Sequence, residues 1–214
     1  MIPEAVVFDC DGVLVDSEPH SRRSWVRVLR ALNHPGSTDD VAACTGLGFL
    51  PTREALVRLG PLPDPAELWP VLMDALEWSY SDGLDRFDDA VAALDAVVAA
   101  GVPVAVASAS PRERLDLTLR AADLSDRFVV SVAGDEVPAG KPAPDGYIAA
   151  LRSLGVAADG AMAVEDSVMG VRSAQAAGLG VIAVVREAHV RDDLVATGAI
   201  VVDRVEPRHL GIQS

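Results

Sequence analysis

The chain has 214 residues, of which 32 are acidic and 18 basic, giving a net charge of −14, and half of all residues are hydrophobic. This composition supplies a large core and excludes an intrinsically disordered protein. A surface this acidic repels phosphate backbones, so we expect no nucleic-acid partner. Charged residues interrupt every long apolar run, so we expect no membrane partner. Two cysteines and no signal-peptide pattern favour a soluble, cytoplasmic protein, which we expect to be a monomer.

Short β-rich runs alternate with amphipathic stretches along most of the chain. The predicted strands cover residues 5–8, 102–107, 128–132, 161–164, 181–185 and 199–202. The predicted helices between and after them cover residues 88–100, 111–121, 144–154, 167–177 and 187–197. This alternation predicts the α/β class, with a Rossmann-like, doubly wound parallel sheet covered by helices on both faces.

The segment from residue 17 to residue 82 breaks this alternation, because it contains helical patterns only. Those patterns cover residues 18–32, 38–45, 51–59 and 64–80. Within the last of them, Pro70 is expected to bend or restart the helix. The sequence therefore predicts a core of residues 1–16 and 83–214, with residues 17–82 inserted as an all-helical cap.

Acidic side chains follow two of the predicted strands, at the ends where open parallel sheets bind their ligands. Asp9 and Asp11 come directly after the first strand, and their i, i+2 spacing sends both side chains to one side. Gly12 lets the backbone turn sharply behind them, and Glu165 and Asp166 end the fourth strand. Close carboxylates repel each other, so the site needs a cation, and oxygen ligands favour Mg²⁺. The alternative interpretation is that these acids are solvent-exposed residues that cap the helices after the strands.

The cations of this chain are 17 Arg and a single Lys, Lys141. Gly140 and Pro142 flank it in a restricted loop, which favours a fixed ammonium that neutralises phosphate over a lysine in solvent. Ser108 ends the second strand ahead of a predicted helix. Its hydroxyl and the free N–H groups of that helix are suited to binding phosphate. Ser110 is expected to cap the same helix.

These four motifs, in this order, resemble those of the haloacid dehalogenase superfamily. The similarity is strongest to its phosphatases and β-phosphoglucomutase-like members, which carry a helical cap after the first motif. The motifs are DCDGVLVDS at 9–17, Ser108, GKPAPD at 140–145 and the pair Glu165-Asp166, and the similarity runs from about residue 6 to residue 202. It implies a Mg²⁺-dependent phosphatase that acts on a small phosphorylated metabolite of the sugar phosphate or phosphoglycolate type.

The resemblance also implies individual roles. Asp9 would be the nucleophile that accepts the phosphoryl group as an aspartyl phosphate, and Asp11 would be the general acid and base. Mg²⁺ would be held by Asp9, by the backbone carbonyl of Asp11 and by Asp166. Glu165 would lie nearby or bind the ion through water.

Phosphoryl oxygens would be held by Ser108, by the neighbouring Ala109 and by Lys141.

Two differences from other members of the superfamily narrow the type of reaction that this chain would catalyse. Dehalogenases of the superfamily lack the second acid, which is present here as Asp11. Phosphonate hydrolases of the superfamily need a cap lysine for a Schiff base, and the predicted cap contains no Lys.

A β-phosphoglucomutase-like sugar phosphomutase is the main alternative. That mutase uses a cap His, and the matching position here is Ser21, with His20 one residue early. A shift of one residue rotates a side chain by about 100° around a helix, so His20 would point in a different direction from the mutase histidine. This difference favours a hydrolase over a mutase. His20, Trp25 and Arg53 are candidate substrate contacts in the cap, although packing or solvation would equally explain each. A binding protein without activity is the third alternative, and it is disfavoured because every motif acid and Lys141 are retained.

Overall fold

The computed structural model describes residues 2–213, so Met1 and Ser214, the limits of the predicted core, lie outside the described residues. The chain divides into two compact units. One comprises Met1–Asp16 with Arg86–Ser214, and the other comprises Ser17–Asp85. Among the described residues, no helix combines the length and the apolar character needed to cross a bilayer.

The second unit extends to Asp85, whereas the sequence pattern ended the cap at residue 82. The reason lies in the next residue. Arg86 forms an isolated antiparallel bridge with Val15, and the Phe87 N–H donates to the Leu14 carbonyl at 2.9 Å. The chain therefore rejoins the first unit at Arg86.

A six-stranded sheet forms the centre of the first unit. Its strands are β1 (Ala5–Phe8), β2 (Val104–Ala107), β3 (Val130–Val132), β4 (Ala161–Glu165), β5 (Gly180–Val184) and β6 (Ile200–Val202). Their order is β3-β2-β1-β4-β5-β6, and all neighbours are parallel. Every residue of β1 and β2 is buried, as expected for parallel strands covered on both faces. The strand order reverses beside β1, which is where such sheets bind ligands.

The second unit is all-helical. It contains α1 (Glu18–Ala31), α2 (Thr38–Ala42), α3 (Phe49–Val57) and α4 (Pro65–Tyr80). Of the two outcomes expected at Pro70, a bend or a restart, the restart is wrong, because α4 continues through this residue. α1 packs on α4, where the Ser24 hydroxyl donates to the Ala75 carbonyl at 3.1 Å.

Helices of the first unit follow the strands as the sequence predicts. They are α5 (Asp88–Ala99), α6 (Arg112–Ala121), α7 (Asp145–Leu154), α8 (Val168–Ala176) and α9 (Arg191–Ala196). α9 begins at Arg191 rather than at residue 187, because a 3₁₀ turn over Ala188–Val190 precedes it. The α/β class with a doubly wound, Rossmann-like parallel sheet is confirmed.

Candidate active site

Three carboxylates meet at the carboxyl ends of β1 and β4. Asp9 follows β1, Glu165 ends β4, and Asp166 is the next residue. β1 and β4 are neighbours in parallel register, and the Asp9 N–H donates to the Val164 carbonyl at 3.0 Å. One oxygen from each of the three carboxylates lies within 4.8 Å of the others. The structure thus brings together three of the four acids that the sequence singled out.

The single lysine lies against this cluster. Lys141 Nζ donates to Asp9 Oδ1 at 2.5 Å and to Glu165 Oε1 at 2.6 Å. The Tyr147 hydroxyl, from α7, donates to the same Glu165 oxygen at 2.7 Å. Tyr147 and Glu165 are fully buried, so these bonds fix the Glu165 carboxylate in place.

Burial perturbs the titration of these groups. Desolvation raises the pKa of Asp9 well above its usual value, and the neighbouring Lys141 opposes the rise. Desolvation, reinforced by the charge of Glu165, raises the pKa of Asp166 to about 7. Burial lowers the pKa of Lys141, but Asp9 and Glu165 raise it by more, so the amine stays protonated. Three carboxylates share one lysine, so ionising all of them leaves excess negative charge, which favours an added cation.

Two glycines leave space for the carboxylates. A Cβ added at Gly12, which has φ +83°, would lie within 3.0 Å of the Asp166 carboxyl group. A Cβ added at Gly170, in the first turn of α8, would overlap the carboxyl carbon and both oxygens of Glu165. The expected sharp turn at Gly12 is therefore present. The need for glycine at position 170 was missed, because nothing in the local sequence shows that a buried carboxylate lies above that turn.

Asp11 does not join the three clustered carboxylates. Its carboxylate accepts a hydrogen bond from the Ser110 hydroxyl at 3.0 Å and lies 3.7 Å from Nη2 of Arg114. Ser110 was expected to cap α6. That expectation is wrong, because Pro111 precedes the helix and the Ser110 hydroxyl is used on Asp11 instead.

The segment after β2 is held tightly. The Ser108 hydroxyl is buried and accepts a hydrogen bond from the Ser110 N–H at 3.0 Å, which leaves its own proton available to another acceptor. Gly134 approaches the Ala109 backbone so closely that a Cβ there would overlap the Ala109 carbonyl. The Gly134 N–H also donates to the Ser110 carbonyl at 2.9 Å. Ser108 and Ala109 are therefore fixed in position.

Arg186, two residues after β5, is a further site residue that sequence reasoning missed. Its Nε donates to the Gly12 carbonyl at 3.1 Å, and its Nη2 donates to the Val13 carbonyl at 3.0 Å. Its Nη1 pairs with Asp89 at 3.0 Å, and the guanidinium lies 3.9 Å from the centre of the Phe87 ring. One guanidinium thus ties the turn after Asp11 to the start of α5.

The cap candidates have structural partners within the second unit. His20 is buried, and its Nδ1 lies 2.9 Å from the Ser79 carbonyl. Trp25 is buried and stacks on Phe49, with ring centres 6.0 Å apart. Arg53 Nε donates to the Pro63 carbonyl at 2.8 Å. Their contact with substrate stays a prediction.

Comparison with known proteins agrees with the resemblance seen in the sequence. The family description "haloacid dehalogenase-like hydrolase" matches residues 3–178. The chain is 32% identical over 195 residues to a phosphorylated carbohydrates phosphatase from Thermotoga maritima, covering 82% of each chain.

Two solved structures are each 28% identical to this chain. One is a putative beta-phosphoglucomutase from Thermotoga maritima, with a TM-score of 0.81 and coverage of 96% of this chain and 95% of that one. The other is CbbY from Rhodobacter sphaeroides in complex with xylulose-(1,5)bisphosphate, with a TM-score of 0.82 and 95% coverage of both chains. With its buried acidic cluster and lysine on a doubly wound sheet, this chain belongs to the haloacid dehalogenase-like hydrolase family.

Proposed function

We propose that this chain is a Mg²⁺-dependent phosphatase that hydrolyses a small phosphorylated metabolite, of the sugar phosphate or phosphoglycolate type, through an aspartyl phosphate on Asp9. The observation that carries the proposal is the contact of Lys141 with Asp9 beside two further buried carboxylates. A buried carboxylate held by an ammonium group is suited to nucleophilic attack on phosphorus, since the ammonium then offsets the phosphoryl charge. The names of the relatives support the substrate class.

The reaction would proceed in two displacements. An Asp9 oxygen attacks phosphorus, the bond from phosphorus to the ester oxygen breaks, and the departing alcohol takes a proton from Asp11. Water then attacks the phosphorus of the aspartyl phosphate, giving its proton to Asp11 and releasing Asp9 and inorganic phosphate. The Ser110 and Arg114 contacts support this role, because they hold the Asp11 carboxylate apart from the clustered acids.

The donor set fits a magnesium ion. Asp9, Glu165 and Asp166 offer hard oxygen ligands within 4.8 Å of one another, and their excess negative charge needs a cation. Asp9 and Asp166 would hold the ion, together with the Asp11 backbone carbonyl. Glu165 would support it from the second sphere, since Lys141 and Tyr147 already occupy one of its oxygens. When bound, the ion supplies positive charge to the phosphoryl group.

Phosphoryl oxygens would be bound by Lys141, the Ser108 hydroxyl and the Ala109 N–H. The Ser108 proton is available because the oxygen already accepts the Ser110 N–H. These donors are fixed before substrate arrives, so no reorganisation is needed as charge develops on the phosphoryl group.

Hydrolysis is favoured over phosphate transfer between sugar positions. The mutase alternative needs a cap histidine that assists the acid. His20 is buried, and its ring contacts Ser79 and Arg23. The cap of residues 17–82 remains the proposed source of substrate choice, with His20, Trp25 and Arg53 as its candidate residues.

The proposal is tested by phosphate release from a panel of sugar phosphates and phosphoglycolate, with Mg²⁺ and with a chelator. We expect chelator-sensitive release concentrated on one or two compounds. A hexose 1-phosphate that is isomerised after addition of a bisphosphate, with no phosphate released, would instead identify a mutase. The absence of both reactions would contradict an enzymatic role on these substrates.

Magnesium affinity should fall as the pH is lowered from 8 to 6. The raised pKa of Asp166, about 7, means that its carboxyl carries a proton below that pH, and the ion must displace this proton. Between pH 8 and pH 6, protonation of Asp166 alone should raise the dissociation constant for Mg²⁺ about tenfold. Titration calorimetry at both pH values measures it, with Asp166→Asn as the control that should lose the part of the dependence contributed by Asp166. Equal affinity at both pH values would contradict the assignment of Asp166 as a ligand.

Arg186→Lys should lower kcat/KM by about 10- to 100-fold, the range typical of residues that orient ligands. Lysine keeps the charge but loses the planar fork that reaches Gly12, Val13 and Asp89 together. The matched control is Arg191→Lys, whose exposed side chain pairs with Asp203 and should tolerate the change. Unchanged kinetics in Arg186→Lys would show that the turn after Asp11 does not need this clamp.

A further inference from the structure

Four arginines lie on one face of α1. Arg22, Arg23, Arg27 and Arg30 are all exposed, whereas the opposite face buries Trp25 and other residues against the rest of the second unit. α1 carries only one acidic residue, Glu18, so its net charge is +3 in a chain whose net charge is −14. This face is therefore a basic strip on an acidic protein.

The basic strip lines a groove of about 920 Å³ within the second unit. The four arginines share its wall with Trp78 of α4 and with Thr38 and Ala42 of α2, and no Asp or Glu is among the described residues that line it. A groove of this volume is within the range that accommodates small-molecule ligands. Trp78 is half exposed, and Arg27 lies over its ring at 4.2 Å.

Three of these four arginines, Arg23, Arg27 and Arg30, have no carboxylate of the described residues within 4.0 Å. Of the four, only Arg22 comes within 4.0 Å of a carboxylate in residues 2–213. That carboxylate belongs to Glu18, and the distance is 4.0 Å. Arg23 contacts the His20 ring instead. In a chain with nearly two carboxylates for every cation, a groove lined by four arginines and by no acidic residue among those described has positive charge available for an external anion.

The spacing of the arginines selects the kind of anion. From Arg22 to Arg30 the helix rises about 12 Å, so the positive charge is spread along a line rather than focused on a point. Guanidinium groups bind phosphate through two parallel hydrogen bonds. A ligand with several linked phosphoryl groups can extend along this line of charge, whereas a single phosphate reaches only arginines that are neighbours on the helix.

We propose that the groove between α1, α2 and α4 is a binding site for a small molecule that carries two or more linked phosphoryl groups. The site lies wholly in the second unit and uses none of the residues assigned to catalysis. It is therefore independent of the proposed phosphatase activity, and it stands or fails separately.

The test is titration calorimetry of the full chain with inorganic tripolyphosphate and with ATP, in metal-free buffer. We expect saturable binding in the micromolar range that weakens as salt is raised, as for any contact between arginines and phosphate. Tighter binding of ATP than of tripolyphosphate, lost in Trp78→Leu, would show that an aromatic base adds contacts. Equal binding of both would assign the site to the phosphate chain alone, and either result supports the proposal.

The deciding comparison uses two double variants with the same loss of charge. Arg27→Gln with Arg30→Gln should weaken binding at least tenfold. Arg58→Gln with Arg152→Gln removes two exposed arginines that do not line the groove and should change affinity less than twofold. No saturable binding to the wild-type chain up to millimolar concentrations, or equal weakening by both double variants, would overturn the proposal. Binding at the catalytic site would appear as affinity that neither double variant changes, which also overturns it.

Discussion

Replacing Asp9 with Asn should abolish phosphate release, lowering kcat by about 10⁴-fold or more, as loss of a catalytic nucleophile does. The amide cannot form an acyl phosphate, although its oxygen can still accept a hydrogen bond from Lys141. The fold should be retained. Burial makes the charged form of Asp9 costly, which is why its pKa is raised. The amide replaces this buried charge with a neutral group of nearly the same shape, so the substitution should not unfold the protein. Steady-state kinetics and thermal unfolding in metal-free buffer measure the two effects.

Asp16→Asn is the matched control for Asp9→Asn. Asp16 lies in the same segment, and no role in the chemistry is assigned to it. This variant should retain activity within about twofold, because the amide keeps the shape of a half-buried side chain that lies outside the carboxylate cluster. Phosphate release by Asp9→Asn at a rate near that of the wild type would exclude Asp9 as the nucleophile.

Gly170→Ala should destabilise the protein by about 1–3 kcal/mol or more and remove most of its activity, although Ala is normally favoured over Gly in a helix. The added methyl group would overlap the Glu165 carboxyl group, which is fully buried. That carboxylate cannot move without breaking its bonds to Lys141 and Tyr147. Displacing it also disturbs Lys141 and, through it, Asp9. Chemical denaturation and phosphate release report the two consequences.

Gly146→Ala is the control for this steric argument. Gly146 is also in the first turn of its helix, α7, but a Cβ added there meets nothing within 4 Å. We expect stability to be unchanged or to rise by up to about 1 kcal/mol, with activity retained. If Gly170→Ala behaved like Gly146→Ala, then Glu165 would not need its present position.

Much of the fold was predictable because its signals are local. The predicted helices that end at residues 100 and 177 are each followed by a glycine, Gly101 and Gly178, whose φ of +74° and +91° is a conformation that glycine favours. The errors also have local causes. Pro70 could not be distinguished from a helix breaker without knowing that the rest of α4 is held by packing on α1. α9 begins later than predicted because a 3₁₀ turn over Ala188–Val190 precedes it. The pattern of apolar residues does not distinguish such a turn from the first turn of an α-helix.

The acidic cluster was predictable because the acids follow neighbouring strands, and the sole lysine was conspicuous in the composition. The supporting residues were not predictable in this way. Tyr147 fell in a predicted helix with no sign of its bond to Glu165, which is 18 residues away in sequence. Arg186 reaches Gly12 across 174 residues. Contacts between residues so distant in sequence are set by the packing of the sheet, and local patterns do not encode them.

The central claim, a phosphoryl group carried by Asp9, is tested most directly by trapping that intermediate. The enzyme is mixed with its best substrate and Mg²⁺, quenched in acid within milliseconds, and digested for mass spectrometry of the N-terminal peptide. We predict a peptide heavier by one phosphoryl group, with the modification on Asp9 and absent from Asp9→Asn. Rapid phosphate release with that peptide unmodified at every quench time would contradict it and indicate direct attack by water.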